Sequence, residues 1–134
     1  MTNTGWLIPL GGIGRRAEFD ATSSHARLRF MYEEIGCSTV DMVALTPTVD
    51  VWVDDEGMYN SQPNIVGATV VENLVRTTGR TLRQPLFGTL LFLSRDGEDA
   101  TGLSDDDLEI LEGLTRTAYD EVLLDVLRIR ARKP

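Results

Sequence analysis

The fold class follows from the stretch Val40–Gly57, which reads VDMVALTPTVDVWVDDEG in this 134-residue chain. Its first part, Val40–Leu45, is almost continuously apolar and predicts a mostly buried strand. A Thr-Pro-Thr segment at residues 46–48 separates it from a second part, in which valines alternate with aspartates and Trp52. Such alternation is typical of a strand with one apolar and one polar face. The stretch therefore predicts a β-hairpin that ends in an acidic turn.

Three helices are predicted around this hairpin. The first begins near Ser23, a residue type that caps helix N-termini well, and ends at Gly36, where a C-cap glycine would stand. The second opens at Pro63 and ends at Gly79. The third is a long C-terminal helix over residues 104–131, with acid in its first turns and arginines at its end, as the helix macrodipole favours. Each helix is thus indicated by its ends as well as by apolar spacing.

Three further strands are predicted outside the hairpin, at Trp6–Leu10, Ala17–Asp20 and Leu86–Leu93. The last contains Gly88, and a glycine inside a strand usually marks a bulge or a close backbone approach. The order of elements predicts an α+β fold with a small mixed sheet of about five strands and helices packed on one face. A β-grasp-like arrangement is one topology that this order allows. Residues 1–134 are expected to form a single domain.

Composition and charge exclude several classes of protein. With 42% hydrophobic and 25% charged residues, the chain has the composition of a globular protein. Its 13 basic and 21 acidic residues give a net charge of −8, which disfavours direct binding of nucleic acid. A lone cysteine excludes an intramolecular disulfide, and neither a signal peptide nor a membrane-spanning run is present. We therefore expect a cytoplasmic protein without a membrane partner, located in the host cytoplasm if a phage encodes it.

No catalytic, metal or cofactor site is predicted, because each candidate motif lacks a required part. Residues 11–14 (GGIG) follow a strand, but they have neither a helix on the last glycine nor the lysine of a Walker loop. His25 follows two serines but has no orienting third group. Cys37 follows a helix C-terminus, whose dipole opposes thiolate formation. The acids around Asp54 lack the spacing of a calcium loop. The chain is therefore predicted not to be an enzyme.

A series of short motifs resembles a family of small uncharacterised proteins of actinobacteria and of the phages that infect them. In chain order the motifs are Gly36-Cys37, Val40–Val43, Val51–Gly57, Pro63-Asn64, Ala68-Thr69 and Pro85–Thr89, which give the pattern WVDDEG…PN…AT…PLFGT. This family is defined only as a domain of unknown function. The resemblance covers roughly residues 35–103, and it implies a small phage or actinobacterial accessory protein without implying an activity.

We expect a non-enzymatic binding protein that engages a host protein, because aromatic residues beside polar side chains suit an interface. The predicted contact residues are Trp52, Asp54, Glu56, Tyr59, Asn60, Asn64, Arg80 and Arg83. One alternative is a module that binds a small molecule or nucleotide, in which Arg15, Arg16, Arg80 and Arg83 hold phosphate beside the stacking surface of Trp52. Another alternative is an acidic DNA mimic that inhibits a nucleic-acid enzyme, which the net charge permits.

The last helix predicts a homodimer. Its apolar residues cover more of the circumference than one sheet face should bury, and two-fold dimers are the commonest oligomers. The predicted interface residues are Leu111, Leu114, Ala118, Val122, Leu123, Leu124 and Leu127. If the two helices pair antiparallel, the basic end of one lies near the acidic start of the other.

Overall fold

The computed structural model describes residues 3–82 and 84–131. The elements are β1 (Asn3–Ile8), β2 (Arg15–Phe19), α1 (Ser24–Ile35), β3 (Val40–Ala44), β4 (Asp50–Asp54), α2 (Gly57–Asn60), α3 (Ile65–Arg76), β5 (Leu90–Asp96), β6 (Asp99–Thr101) and α4 (Asp105–Ala131). The α+β class and the long C-terminal helix are confirmed. The described residues form four helices rather than three, because the single-turn helix α2 was not predicted. No helix within these residues has the length and apolar character to cross a membrane.

The sheet is antiparallel at every pairing between its described strands, so the prediction of a mixed sheet was wrong. This also sets it apart from a β-grasp arrangement, which contains a parallel pair. The strand order is β2-β1-β5-β4-β3, and β6 pairs with the end of β5. The predicted hairpin is β3–β4, in which Met42 lies opposite Trp52. Because β3 is an edge strand, Met42 is exposed there rather than buried as expected.

Helices cover both faces of the sheet, not one as predicted. On one face, α3 and α4 pack over a core that includes Leu90 and Phe92 of β5. On the other face, α1 packs over a second core that includes Leu91 and Leu93. Successive side chains of a strand point to opposite faces, so a strand covered on both faces is apolar at every position. This explains the uninterrupted apolar run that predicted β5.

The ends of α1 and the start of α4 agree with the local signals, whereas α3 begins at Ile65 after its N-cap Asn64 rather than at Pro63, and it ends at Arg76 rather than at Gly79. The Ser23 hydroxyl accepts a hydrogen bond from the Ala26 amide at 3.0 Å, and Gly36 ends α1 with a φ of 76°. The Ser104 hydroxyl accepts from the Asp107 amide at 3.1 Å at the start of α4. By contrast, β5 begins at Leu90 rather than at residue 86 as predicted, because a left-handed glycine at residue 88 interrupts the extended chain.

The first half of α4 is fixed to the sheet by a buried hydrogen bond. Trp6 Nε1 donates to Thr115 Oγ1 at 2.9 Å, and that hydroxyl donates in turn to the Leu111 carbonyl at 2.6 Å. Ala118 is the last residue of α4 that is buried. Since a helix rises 1.5 Å per residue, roughly 20 Å of α4 extends past this point.

Candidate functional site

An open cleft of about 720 Å³ lies where the C-terminal end of α1, the end of β4, α2 and the loop before β5 meet. Three of the motifs that carry the family resemblance contribute to its walls. They are Gly36-Cys37 after α1, the acidic turn around Asp54 and Glu56, and Gly88-Thr89 before β5. The fold thus brings together segments that are about fifty residues apart in sequence.

The wall between α2 and β5 is built by two loops that hydrogen-bond to each other. The Asn64 amide donates to the Leu86 carbonyl at 2.9 Å, and the Gly88 amide donates to the Gln62 carbonyl, also at 2.9 Å. Pro63 and Phe87 form an antiparallel bridge between these two contacts. The PN and PLFGT motifs therefore dock directly on one another.

Asn64 does not face the cleft as a ligand-binding residue, contrary to the prediction. Its side chain is buried, and its Nδ2 donates to the carbonyls of Ile8 at 2.9 Å and Gly88 at 2.8 Å. Its Oδ1 accepts from the Gly67 amide at 2.8 Å, which makes Asn64 the N-cap of α3. All three bonds go to backbone groups, so this side chain joins β1, α3 and the loop before β5.

The acidic turn is also held by its own backbone. Asp54 Oδ1 accepts a hydrogen bond from the Glu56 amide at 2.9 Å, and the Asp55 amide donates to the Thr39 carbonyl at 3.1 Å. The next residue, Gly57, is buried, and a Cβ there would lie 3.2 Å from the Phe87 carbonyl oxygen. The turn is therefore fixed on both sides, while the Glu56 side chain stays exposed.

The cleft is negatively charged. Glu33, Asp54 and Glu56 line it, and the described lining residues include no lysine or arginine. Cys37 also lies in the cleft, and burial, together with the nearby charge of Asp54, raises the pKa of its thiol. A raised pKa keeps the sulfur in the protonated form, which is the poorer nucleophile.

The short helix α2 carries two large exposed side chains that do not themselves line the cleft. Tyr59 is 81% exposed and Met58 is also largely exposed, while Asn60 lines the cleft itself. Met58 also borders a smaller cavity of about 230 Å³ on the other side of the acidic turn. The predicted contact residues Asp54, Glu56, Tyr59 and Asn60 therefore lie in or next to one concave surface.

The remaining predicted contact residues do not join this surface. Trp52 packs against the core under α1, and its Nε1 is buried without a hydrogen-bond partner. Arg80 is exposed in the loop after α3 and does not line the cleft, and Arg83 lies outside the described residues. Sequence alternation predicted a polar face around Trp52, but it could not show that α1 covers that face.

Two of the four arginines proposed to hold a phosphate beside Trp52, Arg15 and Arg16, are engaged with acids on different helices. Arg15 Nη2 lies 2.6 Å from Glu34 of α1, whereas Arg16 Nη2 lies 3.5 Å from Glu112 of α4. Because α1 and α4 cover opposite faces of the sheet, these two neighbours point apart. Neither of them lines the cleft.

Asp50 is a buried acid that was not among the predicted site residues. Asp50 is only 2% exposed, its Oδ1 lacks a hydrogen bond, and it lies 3.6 Å from Arg95. Burial raises the pKa of the Asp50 carboxyl, and the charge of Arg95 opposes part of that rise. Within the ranges 3–82 and 84–131, no three potential metal ligands cluster. Asp50 is thus a buried carboxylate paired with Arg95 rather than a member of a cluster of acids.

Comparison with known proteins gives one match. No curated protein and no solved structure matches the chain. A domain of unknown function, DUF3846, matches residues 11–116, a range that contains nearly all of the cleft lining and ends within α4. This confirms the general part of the predicted resemblance and extends it beyond residues 35–103, while an actinobacterial or phage origin stays a prediction. The chain therefore belongs to the DUF3846 family, a domain of unknown function.

Proposed function

We propose that the chain is a non-enzymatic binding protein, and that its cleft binds a basic segment of a partner protein. The observation that carries this proposal is the combination of a carboxylate-lined cleft with an adjacent tyrosine that is 81% exposed. In the setting that the family resemblance implies, the partner is a host protein and the chain is a phage or actinobacterial accessory protein.

The charge of the cleft favours a partner rich in lysine or arginine. Complementary charges steer association and suppress wrong partners, and the net charge of −8 acts in the same direction as the local carboxylates. Tyrosine and methionine are enriched in protein interfaces, and the Tyr59 ring offers an arginine a cation–π contact. The cleft and α2 together therefore provide both an electrostatic and an apolar part of an interface.

The rigidity of the cleft walls also supports binding. The loop hydrogen bonds around Asn64 and Gly88 and the Asp54 turn leave few backbone groups to be ordered when a partner arrives. A preformed surface spends less of its interaction energy on ordering itself.

The two alternatives make different demands on these residues. A nucleotide module needs positive charge at the phosphate, but carboxylates line the cleft and the arginines Arg15 and Arg16 point apart. A DNA mimic would use negative charge alone, so Tyr59 would be dispensable. The contribution of Tyr59 is therefore the measurement that separates a protein-binding cleft from a DNA mimic.

The test compares wild type, Tyr59→Ala and Ile110→Ala, immobilised at equal density and exposed to an actinobacterial lysate. Ile110 is the matched control because it is an exposed apolar residue that does not line the cleft. A captured protein is identified, purified and titrated against the same three forms by calorimetry. We expect Tyr59→Ala to raise Kd by at least about tenfold and Ile110→Ala to leave it unchanged.

A charge variant completes the experiment. Glu56→Lys should weaken the same partner, and the wild-type affinity should fall as ionic strength rises. A partner that binds Tyr59→Ala as tightly as wild type would overturn the proposal, as would the absence of any partner above the bare matrix. A salt-sensitive nucleic-acid enzyme that tolerates Tyr59→Ala would support the DNA-mimic alternative instead.

A further inference from the structure

We propose that the projecting segment of α4, Tyr119–Ala131, pairs antiparallel with the same segment of a second copy of this chain. This inference concerns a different surface from the cleft and does not depend on the proposed function. It revises the predicted dimer, because the structure places part of the predicted interface inside the monomer. Leu111 and Ala118 are fully buried, and Leu114 packs against the same core.

The apolar stripe of α4 continues past the sheet that it covers. Leu108, Leu111, Thr115 and Ala118 face the core. At the same helical spacing follow Val122, which is half-buried, and then Val126 and Ile129, which are exposed. Leu123 and Leu127 beside this stripe are exposed as well. The second half of the stripe therefore has the character of a core-facing surface, with nothing in the described chain packed on it.

The spacing of the exposed stripe is that of a coiled-coil seam. Tyr119, Val122, Val126 and Ile129 are separated by three, four and three residues, as the a and d positions of a heptad are. Leu123 and Leu127 extend the seam on one side. A helix of this length has little stability of its own in water, so it gains from packing against a second helix.

The charges of the segment identify a second copy as the occupant. Asp120 and Glu121 lie at its start, Asp125 lies near its middle at 3.8 Å from Arg128 of the same helix, and Arg128 and Arg130 lie at its end. An antiparallel pair places the basic end of each copy beside the acidic start of the other, whereas a parallel pair would place like charges together. A two-fold interface must be complementary to itself. The seam meets that requirement through its spacing, because Tyr119 pairs with Ile129 and Val122 with Val126. Asp120 and Arg128 lie two residues from the seam valines and hence toward the outer side, so they act as exposed charges that favour the antiparallel direction.

A groove next to the segment completes the surface. It has a volume of about 330 Å³, and Trp6, Ile13 and Tyr119 contribute apolar groups to its lining. If Val122 of one copy faces Val126 of the other, then Tyr119 faces Ile129 of the partner helix by the same register. The end of each helix then reaches the groove of the other copy, where Ile13 is exposed.

The register also provides a matched control. Leu124 is two residues from both Val122 and Val126, so it lies about 200° around the helix from each of them. Although it was predicted in the interface, Leu124 therefore lies on the outer side of the pair. Leu124 is 51% exposed and Val126 is 41% exposed, so a glutamate at either position meets a similar environment in the monomer.

The test is analytical ultracentrifugation of wild type, Val126→Glu and Leu124→Glu from about 1 to 100 µM, with circular dichroism to confirm that each is folded. We expect wild type and Leu124→Glu to be dimers. Val126→Glu should raise the dimer Kd by at least about thirtyfold. A wild-type monomer at the highest concentration would overturn the proposal. So would a Val126→Glu dimer as stable as wild type, or a Leu124→Glu variant that is as dissociated as Val126→Glu.

Charge reversal tests the orientation. Arg128→Glu with Arg130→Glu should weaken the dimer, and adding Asp120→Lys with Glu121→Lys should restore it, because the antiparallel pair then regains opposite charges. Failure of the second pair to restore the dimer would overturn the antiparallel arrangement.

Discussion

Replacing Asn64 with alanine tests whether the cleft wall depends on this one buried amide. The substitution removes the N-cap of α3 and leaves the carbonyls of Ile8 and Gly88 without their side-chain donor. A lost cap costs about 1 kcal/mol, and each buried group left unpaired costs about 1–3 kcal/mol. We expect Asn64→Ala to lower the free energy of unfolding by about 3–7 kcal/mol, a large share of the roughly 5–15 kcal/mol typical of a domain.

Two further substitutions separate the stability lost with the Oδ1 acceptor from the stability lost with the Nδ2 donor. Asn64→Ser keeps an oxygen for the Gly67 amide but loses both donors, so it should cost less than Asn64→Ala. Asn64→Asp also keeps the cap, but it turns a carboxyl oxygen toward the two carbonyls. A protonated carboxyl can donate to one of them, so Asn64→Asp should be closer to wild type at pH 4 than at pH 7.

Urea unfolding followed by circular dichroism and tryptophan fluorescence measures these differences, with exposed Asn60→Ala as the control. The free energy of unfolding of Asn60→Ala should differ from that of wild type by no more than about 0.5 kcal/mol. An Asn64→Ala variant less than about 1 kcal/mol below wild type would refute the reasoning. A pH-independent deficit of Asn64→Asp would refute the assignment of Nδ2 as the donor to the two carbonyls.

Three other predictions use the same urea assay. Thr115→Val should cost about 1–3 kcal/mol, because it leaves Trp6 Nε1 buried without an acceptor, whereas Thr115→Ser should restore most of the loss. Gly88→Ala should cost more than Gly79→Ala: both have a positive φ, but only at Gly88 would the Cβ meet a neighbour, at 3.2 Å. Equal costs would contradict this. Burial raises the pKa of Asp50 in the folded state. Its contribution to the free energy of unfolding is therefore greatest below its ordinary pKa and is lost as pH rises through the raised folded-state pKa. Asp50→Asn should therefore gain stability relative to wild type between pH 4 and pH 7, and a constant difference would contradict that cause.

The helix ends were predictable because their determinants are local. Ser23, Gly36 and Ser104 act on groups within a few residues of themselves, through capping hydrogen bonds or a left-handed backbone. The β3–β4 hairpin was predictable for the same reason, since its strands are joined by a short loop. For each of these elements, the residues that contact one another lie within one short stretch of sequence.

The layers were not predictable, because they depend on which element covers which face. The strand around Trp52 has the alternation of a half-exposed strand, but α1 packs over the side that carries Trp52, and Asp50 on the same side is buried as well. Along α4, Leu111 and Leu123 look alike in sequence. Only the end of the sheet beneath the helix makes the first a core residue and the second an exposed one.

The cleft was only partly predictable, because the same motifs contain both framework and surface residues. Asn64 and Gly88 were suggestive as a pair of motifs, but their hydrogen bond spans 24 positions of sequence, and no local pattern records it. Asp54 and Glu56, both predicted as contact residues, line the same cleft. What sequence could not show is that Asp54 Oδ1 accepts a hydrogen bond from the Glu56 amide while the Glu56 side chain stays exposed.

This division indicates where specificity can reside in the protein. Pro63, Asn64 and Gly88 belong to the motifs from which the resemblance was predicted, and their contacts hold two loops together, so they determine the shape of the cleft rather than its chemistry. Glu56 and Tyr59 make none of these framework contacts, so both can be exchanged without disturbing the walls. Under the proposed binding function, a change of partner therefore requires changes only at the rim, and the same fold can then carry a different binding function.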